Sequence, residues 1–591
     1  MLRLFLIFPM SVVVLAFLAF CFGGHCAAWQ WWGAVATTVA CGFWRRTPRE
    51  GVRAGLFFIG WLAVAWVGCG LAVAPNWFDE AAYHIPAVRM LADGWNPLYV
   101  STPEELLRLT GFSASDFRVD HVLFMPKIVW VFSAVAYFFT NDVLNPLVPI
   151  LWFLVPTTLM RIWRSMDGAA IVWKILAVPL VYCLLFNSAY VVDLVVQLAA
   201  IGLLLSFEEV LSGKKADVLS LVVFSFWMMG AKTSGLLHGG FFWTIFLVVV
   251  LARKLDWRPF AQVVATVSIL LTLVCATPYL TSIRHYGHPF YPSYSFDERR
   301  FPVRIITEDF ITGQNEDAAS MGLLGRYVYS FVSPSLARTW YRRWLDKPDF
   351  QPYSANNCHY PNDGDGTEPT RLGMRVAFWT SMALLLLAGR KSFRLIALMV
   401  VLGTAAAPLP LLGYIRYIPW WLLPLLFVYI DMTRGGGNRR RALACLALLG
   451  TFAIPPYTLP KKVGYTLKLV DERQLLMEIL DGTLSPVRPC WGQSLAQLKM
   501  MRREFPALAK GKLLPYSASL ADGLRAEDVE LPGKLFVFDN EDKMRRMASR
   551  IPTDVLGRVK YVLRSGFVTL PKAVGTRVAS LFDGRKDANG K

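Results

Sequence analysis

The chain has 591 residues, with 61 Lys and Arg against 42 Asp and Glu, so its formal net charge is +19. Apolar residues make up 55% of it and charged residues only 17%, whereas about a quarter of a soluble domain is charged. This composition excludes an ordinary soluble or disordered protein and predicts a polytopic membrane protein. Its 9 cysteines form no CxxC or CxxxC pair, which excludes a zinc scaffold and a disulfide-rich secreted module.

Apolar runs long enough to cross the hydrocarbon core as helices recur along the chain, and we predict about thirteen spans. They run near residues 5–22, 27–43, 54–75, 143–160, 174–190, 194–211, 216–231, 236–252, 259–277, 373–389, 395–413, 417–432 and 442–458. No small-residue cleavage region follows the first run, which indicates a retained span rather than a signal peptide. The prediction is therefore an all-α polytopic membrane protein.

Basic residues cluster after every second predicted span, whereas the short connections between these clusters hold one basic residue or none. Since Lys and Arg favour cytoplasmic loops, this pattern predicts a cytoplasmic N-terminus and an outer C-terminus. Three long stretches then lie outside: 76–142, 278–372 and 459–591. The apolar segment 126–139 is predicted to lie in the outer interface, because counting it as a span would reverse the side of every later loop.

The C-terminal stretch 459–591 loses the long apolar runs and carries +9 of the net charge. Short strand-like runs at 534–538 and 560–570, with helix-like pieces near 470–480 and 491–503, predict a small extracytoplasmic α/β domain. Cys358 and Cys490 both fall in outer stretches. They either form a disulfide that ties the long loop to the C-terminal domain or remain two unpaired thiols.

Asp79 and Glu80 are adjacent carboxylates at the outer end of the third span, where they are costly to desolvate without a task or partners. The following residues predict a short amphipathic helix that ends at Gly94. Asp79 at the N-terminus of that helix would stay ionised and suit general-base catalysis or metal binding. The alternative is that Asp79 only caps the helix.

Further motifs follow in a fixed order through the membrane part. They are Gly94–Tyr99 (GWNPLY), His121 with Met125–Lys127 (MPK), Tyr190–Asp193 (YVVD), Tyr286–Pro292 (YGHPFYP) and Arg416–Pro419 (RYIP). Together with the Asp-Glu pair, they resemble motifs of the GT-C superfamily of integral-membrane glycosyltransferases, which includes protein O-mannosyltransferases and lipid A aminoarabinose transferases. The resemblance covers 54–432 and implies a catalytic module at 54–458, preceded by two additional helices in 1–53.

The resemblance implies transfer of a sugar from a polyprenyl-phosphate donor to a lipid or glycan acceptor of the envelope, at the outer face of a bacterial inner membrane. Asp79 would be the general base, with Glu80 beside it. The donor phosphate would be held by Lys127, Lys232 and Arg416, which the predicted topology places at outer helix ends. Substrate contacts would come from Tyr83, His121, Asp193 and His288. A divalent metal, Mg²⁺ or Mn²⁺, would use Asp79 and Asp193.

Simpler roles remain open for most of these residues. Lys127 and Arg416 could reach lipid headgroups, Lys232 could be a loop lysine, and Asp193 could cap the following helix. The histidines could be hydrogen-bonded interface residues, and Tyr83 an interfacial anchor. The alternative functions are a lipid or saccharide flippase and a non-enzymatic scaffold of envelope polysaccharide assembly. The partners expected are membrane lipid and lipid-linked sugar, without nucleic acid.

Overall fold

The computed structural model of the protein describes part of the chain, and every structural statement below concerns that part. It comprises residues 2–44, 47–71, 83–110, 119–140, 142, 145–185, 191–287, 289, 380–405, 423–434, 443, 463, 467, 470, 473, 487–489, 536–538 and 555–582. These residues are mostly helical, and they include two short strands.

The first three predicted spans are helices: α1 (Leu2–Cys21), α2 (Ala28–Phe43) and α3 (Pro48–Cys69). Helix α3 begins at Pro48, before the predicted start near residue 54. The reason is a capping box, in which Thr47 is the N-cap residue and Glu50 lies in the first turn. The Glu50 amide donates to Thr47 Oγ1 over 3.4 Å, and the Thr47 amide donates to Glu50 Oε2 over 3.1 Å.

Four short helices follow, namely α4 (Ile85–Ala92), α5 (Pro103–Thr110), α6 (Val119–Phe124) and α7 (Ile128–Thr140). Helix α4 occupies the segment predicted as an amphipathic helix, and Gly94 after it has a φ of 106°, which favours glycine. Helix α7 has 13 residues and is therefore about 20 Å long. That length falls short of the roughly 30 Å hydrocarbon core, but so do the lengths of α11 (Val218–Ala231) and α15 (Leu423–Thr433), which lie where spans are predicted. The interfacial position of α7 therefore stays a prediction.

Most later helices lie where spans are predicted. They are α8 (Leu151–Ser165), α9 (Ile171–Leu185), α10 (Val191–Leu211), α11 (Val218–Ala231), α12 (Thr233–Ala252), α13 (Arg258–Tyr286), α14 (Lys391–Ala405) and α15 (Leu423–Thr433). By length and composition, 5 described helices could cross a membrane: α1, α3, α10, α12 and α13. The total of thirteen spans stays a prediction, because the last one, 442–458, falls almost wholly outside the described residues.

The chain divides into two compact units. The first unit comprises residues 1–18, 123–129 and 153–458, and the second comprises 19–122, 130–152 and 459–591. Helix α10 forms the centre of the first unit, since nearly all of its residues are buried. It packs against α11 at close range, where Gly202 leaves room for the Phe224 ring.

Helices α11 and α12 form an antiparallel hairpin whose connection is one extended residue, Lys232, with φ −153° and ψ 148°. The helices approach closely because Gly235 has no side chain, and a Cβ there would lie 2.0 Å from the Met228 carbonyl oxygen. Further along the hairpin, Trp243 Nε1 donates to Ser225 Oγ over 2.8 Å. The hairpin therefore presents Lys232 at its tip.

The C-terminal stretch contains strands β1 (Val487–Pro489) and β2 (Phe536–Phe538), which pair antiparallel with Val487 opposite Phe538. The strand predicted at 534–538 is thus confirmed over 536–538. The α/β domain itself stays a prediction, because most of 459–591 lies outside the described residues.

The strand predicted at 560–570 is wrong. The chain there forms α16 (Val555–Arg564), a π-helical stretch (Ser565–Thr569) and α17 (Leu570–Phe582). The physical reason is the spacing of apolar residues, which recur four apart at Val559, Leu563 and Phe567. That period places them on one face of a helix rather than on one face of a strand.

We expect Gly235→Ala to destabilise the protein by about 1–3 kcal/mol, because the added methyl group meets a backbone carbonyl that cannot rotate away. The matched control is Gly240→Ala in the same helix, where a Cβ meets nothing within 4 Å. Thermal unfolding of the purified full-length protein in detergent measures both variants. Equal melting temperatures for the two variants would contradict the close helix approach at Gly235.

Candidate functional site

The structure describes five of the nine predicted site residues. They are Tyr83 and His121 in the second unit, and Lys127, Asp193 and Lys232 in the first unit. The other four lie outside the described residues: Asp79, Glu80, His288 and Arg416. Cys358 and Cys490 lie there too, so their pairing stays a prediction.

Asp193 and Lys232 form an ion pair between the first turn of α10 and the tip of the α11–α12 hairpin. The Asp193 side chain is buried, and the Lys232 side chain is mostly buried. Asp193 lies inside the helix rather than before it, so its role differs from that of an N-cap. Lys232 is likewise held by a specific partner instead of extending from a surface loop.

Lys127 lies between α6 and α7, and its side chain is buried. Its ammonium nitrogen donates to the backbone oxygens of Leu123 over 2.7 Å and Met125 over 3.1 Å. Burial lowers the pKa of Lys127 from its ordinary 10.5 to about 7. The geometry therefore differs from that of a lysine reaching out to lipid headgroups, and a bound anion would favour its charged form.

The segment that carries Lys127 touches the hairpin that carries Lys232. The contact is at Gly230, where an added Cβ would lie 2.8 Å from Ile128 Cδ1 and 2.9 Å from Cys275 Sγ. Ile128 directly follows Lys127, and Gly230 comes two residues before Lys232. Two predicted phosphate-binding lysines from distant parts of the sequence thus lie on touching segments at one end of the first unit.

The first turn of α12 adds to the positive character of this end. Its opening N–H groups have no partners within the helix, and Lys232 immediately precedes them. A helix N-terminus favours anions through its exposed N–H groups and its dipole. We call the set of Lys127, Lys232, Asp193 and the α12 N-terminus the two-lysine site. Its two ammonium groups and one carboxylate suit an anionic ligand.

Tyr83 and His121 belong to a buried aromatic cluster in the second unit. The Tyr83 ring centroid lies 4.3 Å from that of His84 and 4.9 Å from that of His121. Trp130 Nε1 donates to His84 Nδ1 over 2.7 Å, which fixes the orientation of the His84 ring. This packing brings the two predicted substrate-binding residues, Tyr83 and His121, into contact with each other.

The described residues contain no group of three or more His, Cys, Asp or Glu side chains that could hold a metal ion. Asp193 is the one predicted metal ligand that the structure describes, and its carboxylate contacts Lys232. A second oxygen ligand would have to come from Asp79, which lies outside the described residues. The expected Mg²⁺ or Mn²⁺ therefore stays a prediction.

The GWNPLY motif has a structural task in the second unit. Asn96 donates to the carbonyl oxygens of Phe20 over 3.0 Å and Gly24 over 2.7 Å. Trp95 is buried, and its Nε1 donates to the Val100 carbonyl oxygen over 3.1 Å. The motif thus ties the segment after α4 to the end of α1 and the turn after it.

The sequence analysis missed the buried charges at the other end of α10. Glu208 accepts from Arg434 over 2.8 Å and from Ser392 over 2.9 Å, and Glu209 accepts from Arg161 over 2.7 Å. The signal was present in the sequence, because Glu208 and Glu209 are adjacent carboxylates beside an apolar run, as Asp79 and Glu80 are.

A second missed ion pair lies in the other unit, where Arg473 Nη2 is 3.0 Å from Asp142 Oδ2. It links the segment after α7 to the C-terminal stretch. No short sequence motif marks this pair, because its two residues are far apart along the chain.

Comparisons with protein-family models, with curated proteins and with solved structures find no match to this chain. The resemblance to the GT-C superfamily therefore stays at the level of its motifs.

We expect Lys232→Met and Asp193→Asn each to destabilise the protein by roughly 3 kcal/mol. Each change leaves one charge without its partner in a poorly hydrated place. The double variant should recover most of this loss, because it removes both charges together. Chemical unfolding in detergent measures the effect, with Lys215→Met at an exposed loop position as the control. A double variant no more stable than either single variant would contradict a coupled pair.

Proposed function

We propose that the protein is a membrane glycosyltransferase that moves a sugar from a polyprenyl-phosphate donor to an envelope acceptor. The observation that carries this proposal is the two-lysine site. Lys127 and Lys232 come from distant sequence motifs and lie on touching segments at one end of apolar helices. A polyprenyl phosphate has its hydrocarbon chain in the bilayer and its phosphate at the boundary between lipid and water. Its phosphate therefore lies at the same depth as the ends of membrane-spanning helices.

The reaction is a displacement at the anomeric carbon of the sugar. Asp79 takes the proton of the acceptor hydroxyl, and the acceptor oxygen forms a bond to the anomeric carbon. The bond between that carbon and the phosphate oxygen breaks at the same time, and polyprenyl phosphate leaves with the electron pair. One such displacement inverts the anomeric centre and needs no covalent enzyme intermediate.

The leaving phosphate gains negative charge, which nearby cations stabilise. Lys127 and Lys232 supply this charge, and the first turn of α12, which Lys232 immediately precedes, adds the partial positive charge of a helix N-terminus. Arg416 is the third predicted cation. Asp193 restrains Lys232 before the donor arrives and keeps its charge compensated. Lysine acts as a point charge, whereas the guanidinium of Arg416 can bind two phosphate oxygens at once.

The remaining predicted residues have supporting tasks in this proposal. Glu80 positions Asp79 or the acceptor. His288, two residues after the end of α13, contacts the sugar. Tyr83 and His121 hold the first outer loop rigid through their packed rings. A divalent metal bound by Asp79 and Asp193 would further neutralise the donor phosphate.

The distribution of charge along the first unit supports an outer location for the two-lysine site. Connections at the opposite end carry the basic clusters, with Lys214 and Lys215 after α10, Arg253 and Lys254 after α12, and Arg390 before α14. Basic loops favour the cytoplasm. We therefore place the two-lysine site at the outer face of a bacterial inner membrane, with the C-terminal stretch on the same side.

The alternative function is a flippase or transporter of lipid-linked saccharide. A largely buried ion pair between apolar helices, such as Asp193–Lys232, would also suit a transport pathway. However, the pair lies at the end of α10 and at a hairpin tip, whereas transport sites gather near the bilayer midplane at interrupted helices. A position at the helix ends therefore favours sugar transfer at the membrane boundary over transport across the bilayer.

An assay in reconstituted vesicles tests this function. Full-length protein receives radiolabelled polyprenyl-phosphate hexose and an envelope lipid extract as acceptor, and the transferred label is counted. We expect Asp79→Asn to reduce transfer at least a hundredfold, since general-base catalysis contributes about that factor or more. The matched control is Asp93→Asn in the same loop. The carboxylate of Asp93 is partly exposed and pairs with Arg89, so this variant should stay within twofold of native.

Two outcomes of this assay would contradict the proposal. If the native protein and Asp79→Asn transfer the sugar equally well, Asp79 is not the general base. Movement of labelled donor across the bilayer without transfer to any acceptor would favour the flippase.

Lys127 also predicts a pH dependence of phosphate binding. The pKa of Lys127 is lowered to about 7 in the free protein, and a bound phosphate should raise it again. Binding then takes up a proton above pH 7, so affinity for polyprenyl phosphate should fall by up to tenfold per pH unit between pH 7 and 9. The ligand itself contributes little in this range, because its second pKa lies near 6.

Equilibrium binding of a polyprenyl phosphate to the protein in nanodiscs measures this dependence. Lys127→Arg keeps the charge at every pH tested and should flatten the curve. Lys127→Met should bind weakly and without this slope. Parallel curves for the native protein and Lys127→Arg would exclude Lys127 as a phosphate ligand.

A further inference from the structure

Helix α16 and the π-helical stretch after it expose an apolar row. Val559, Leu563 and Phe567 are spaced four residues apart and therefore share one face, and Val568 lies beside them. All four side chains are exposed, with Phe567 at 78% and Val568 at 64% of their accessible surface. A row of this kind is unfavourable in water and marks a surface that meets something apolar.

The charge of the same segment is entirely positive. Residues 555–582 contain five Lys and Arg and no Asp or Glu. The side chains of Lys560, Arg564 and Lys572 are exposed near the apolar row. An apolar face with basic residues beside it is typical of helices that lie in the plane of an anionic membrane surface.

The segment is held at the end of a membrane-spanning helix. Helix α17 contacts α3, whose length and composition allow it to cross the membrane. The guanidinium of Arg577 lies 4.1 Å from the ring centroid of Trp66, in the last turns of α3, and Arg577 donates to the Thr140 carbonyl oxygen over 3.2 Å. Gly70 leaves the space that Arg577 occupies.

The contact between α17 and α3 determines the depth of the apolar row relative to the membrane. The end of a helix that crosses the hydrocarbon core lies at the boundary between lipid and water, whichever side it faces. Tryptophan is favoured at that depth, in agreement with Trp66. The segment that packs on this end is therefore within reach of the lipid surface.

We propose that residues 555–582 form an interfacial anchor that lies on the membrane and binds anionic phospholipid. The apolar row enters the acyl region, and Lys560, Arg564 and Lys572 contact phosphate headgroups. The anchor holds the C-terminal stretch against the membrane boundary at the end of α3. This proposal depends on α3 crossing the membrane and not on the sugar-transfer reaction.

Photolabelling of the full-length protein in nanodiscs tests the anchor. The nanodiscs contain phosphatidylglycerol with a diazirine in its acyl chain, and mass spectrometry locates the label after illumination. We expect label on peptides covering 559–568. Leu56 on the exposed side of α3 provides the internal control, because a spanning helix must be labelled if the method works.

The variant Phe567→Ser/Val568→Ser should lose the label on 559–568 at least threefold while the label on α3 stays. Replacing phosphatidylglycerol by a phosphatidylcholine probe in phosphatidylcholine nanodiscs should lower the label on 559–568 by a similar factor, because the basic residues lose their anionic partners.

Label on α3 with none on 559–568 would overturn the anchor. Equal labelling in the double serine variant would overturn the role of the apolar row, and equal labelling in the two lipids would overturn the preference for anionic lipid. Loss of sugar transfer without loss of label would affect the proposed function alone.

Discussion

A charged side chain among apolar helices must find a partner, and this constraint shapes the first unit around α10. The helix carries Asp193 in its first turn and Glu208 near its end, about 22 Å apart along the axis. Asp193 meets Lys232, and Glu208 meets Arg434. The stretch between them is almost entirely apolar and buried, so each charged layer lies at one end of an apolar band. The neighbouring helices are fixed where they can supply these partners.

The two ends satisfy this constraint in different ways. At the Glu208 end, Glu208 accepts from Arg434 and Ser392, and Glu209 accepts from Arg161, so each carboxylate is paired with an arginine. At the Asp193 end, one carboxylate serves Lys232, while Lys127 rests on backbone oxygens with a lowered pKa. A matched network suits a structural role, since its charges are already neutralised. At the other end, an anion would favour the charged form of Lys127, which agrees with the donor-phosphate site proposed there.

The helices were predictable because apolar runs and basic loops are strong signals in a membrane protein. The charge of the loops predicts that α7 is not a span; its 13 residues do not decide this, because α11 has 14 and lies where a span is predicted. Helices α16 and α17 show the limit of such reasoning. Residues 560–570 contain β-favouring Tyr, Val and Phe, but the four-residue spacing of Val559, Leu563 and Phe567 outweighs this preference and forms a helix.

The candidate site was predictable in its residues but not in its contacts. Asp193 and Lys232 were each identified from sequence, yet their pairing depends on the α11–α12 hairpin with its one-residue connection. The close approach of the two helices in this hairpin requires the missing side chain of Gly235. Lys127 was expected near the donor, but its burial against α6 carbonyls depends on how the chain turns between α6 and α7. The Asp142–Arg473 pair had no sequence signal at all. Long-range packing determines these features, and local pattern does not report it.

The basic residues behind the net charge of +19 are distributed unevenly along the first unit. In the first unit, the basic connections lie at the Glu208 end, where Glu208 and Glu209 provide acidic partners. Among the described residues of the other end, Lys232 pairs with Asp193, the Lys127 ammonium donates to the Leu123 and Met125 backbone oxygens, and Arg284 in the last turn of α13 is exposed. A positively charged loop in water needs little explanation, because solvent screens it. A buried lysine is costly unless a ligand or partner repays the desolvation, and a lipid phosphate at the membrane boundary would provide that compensation.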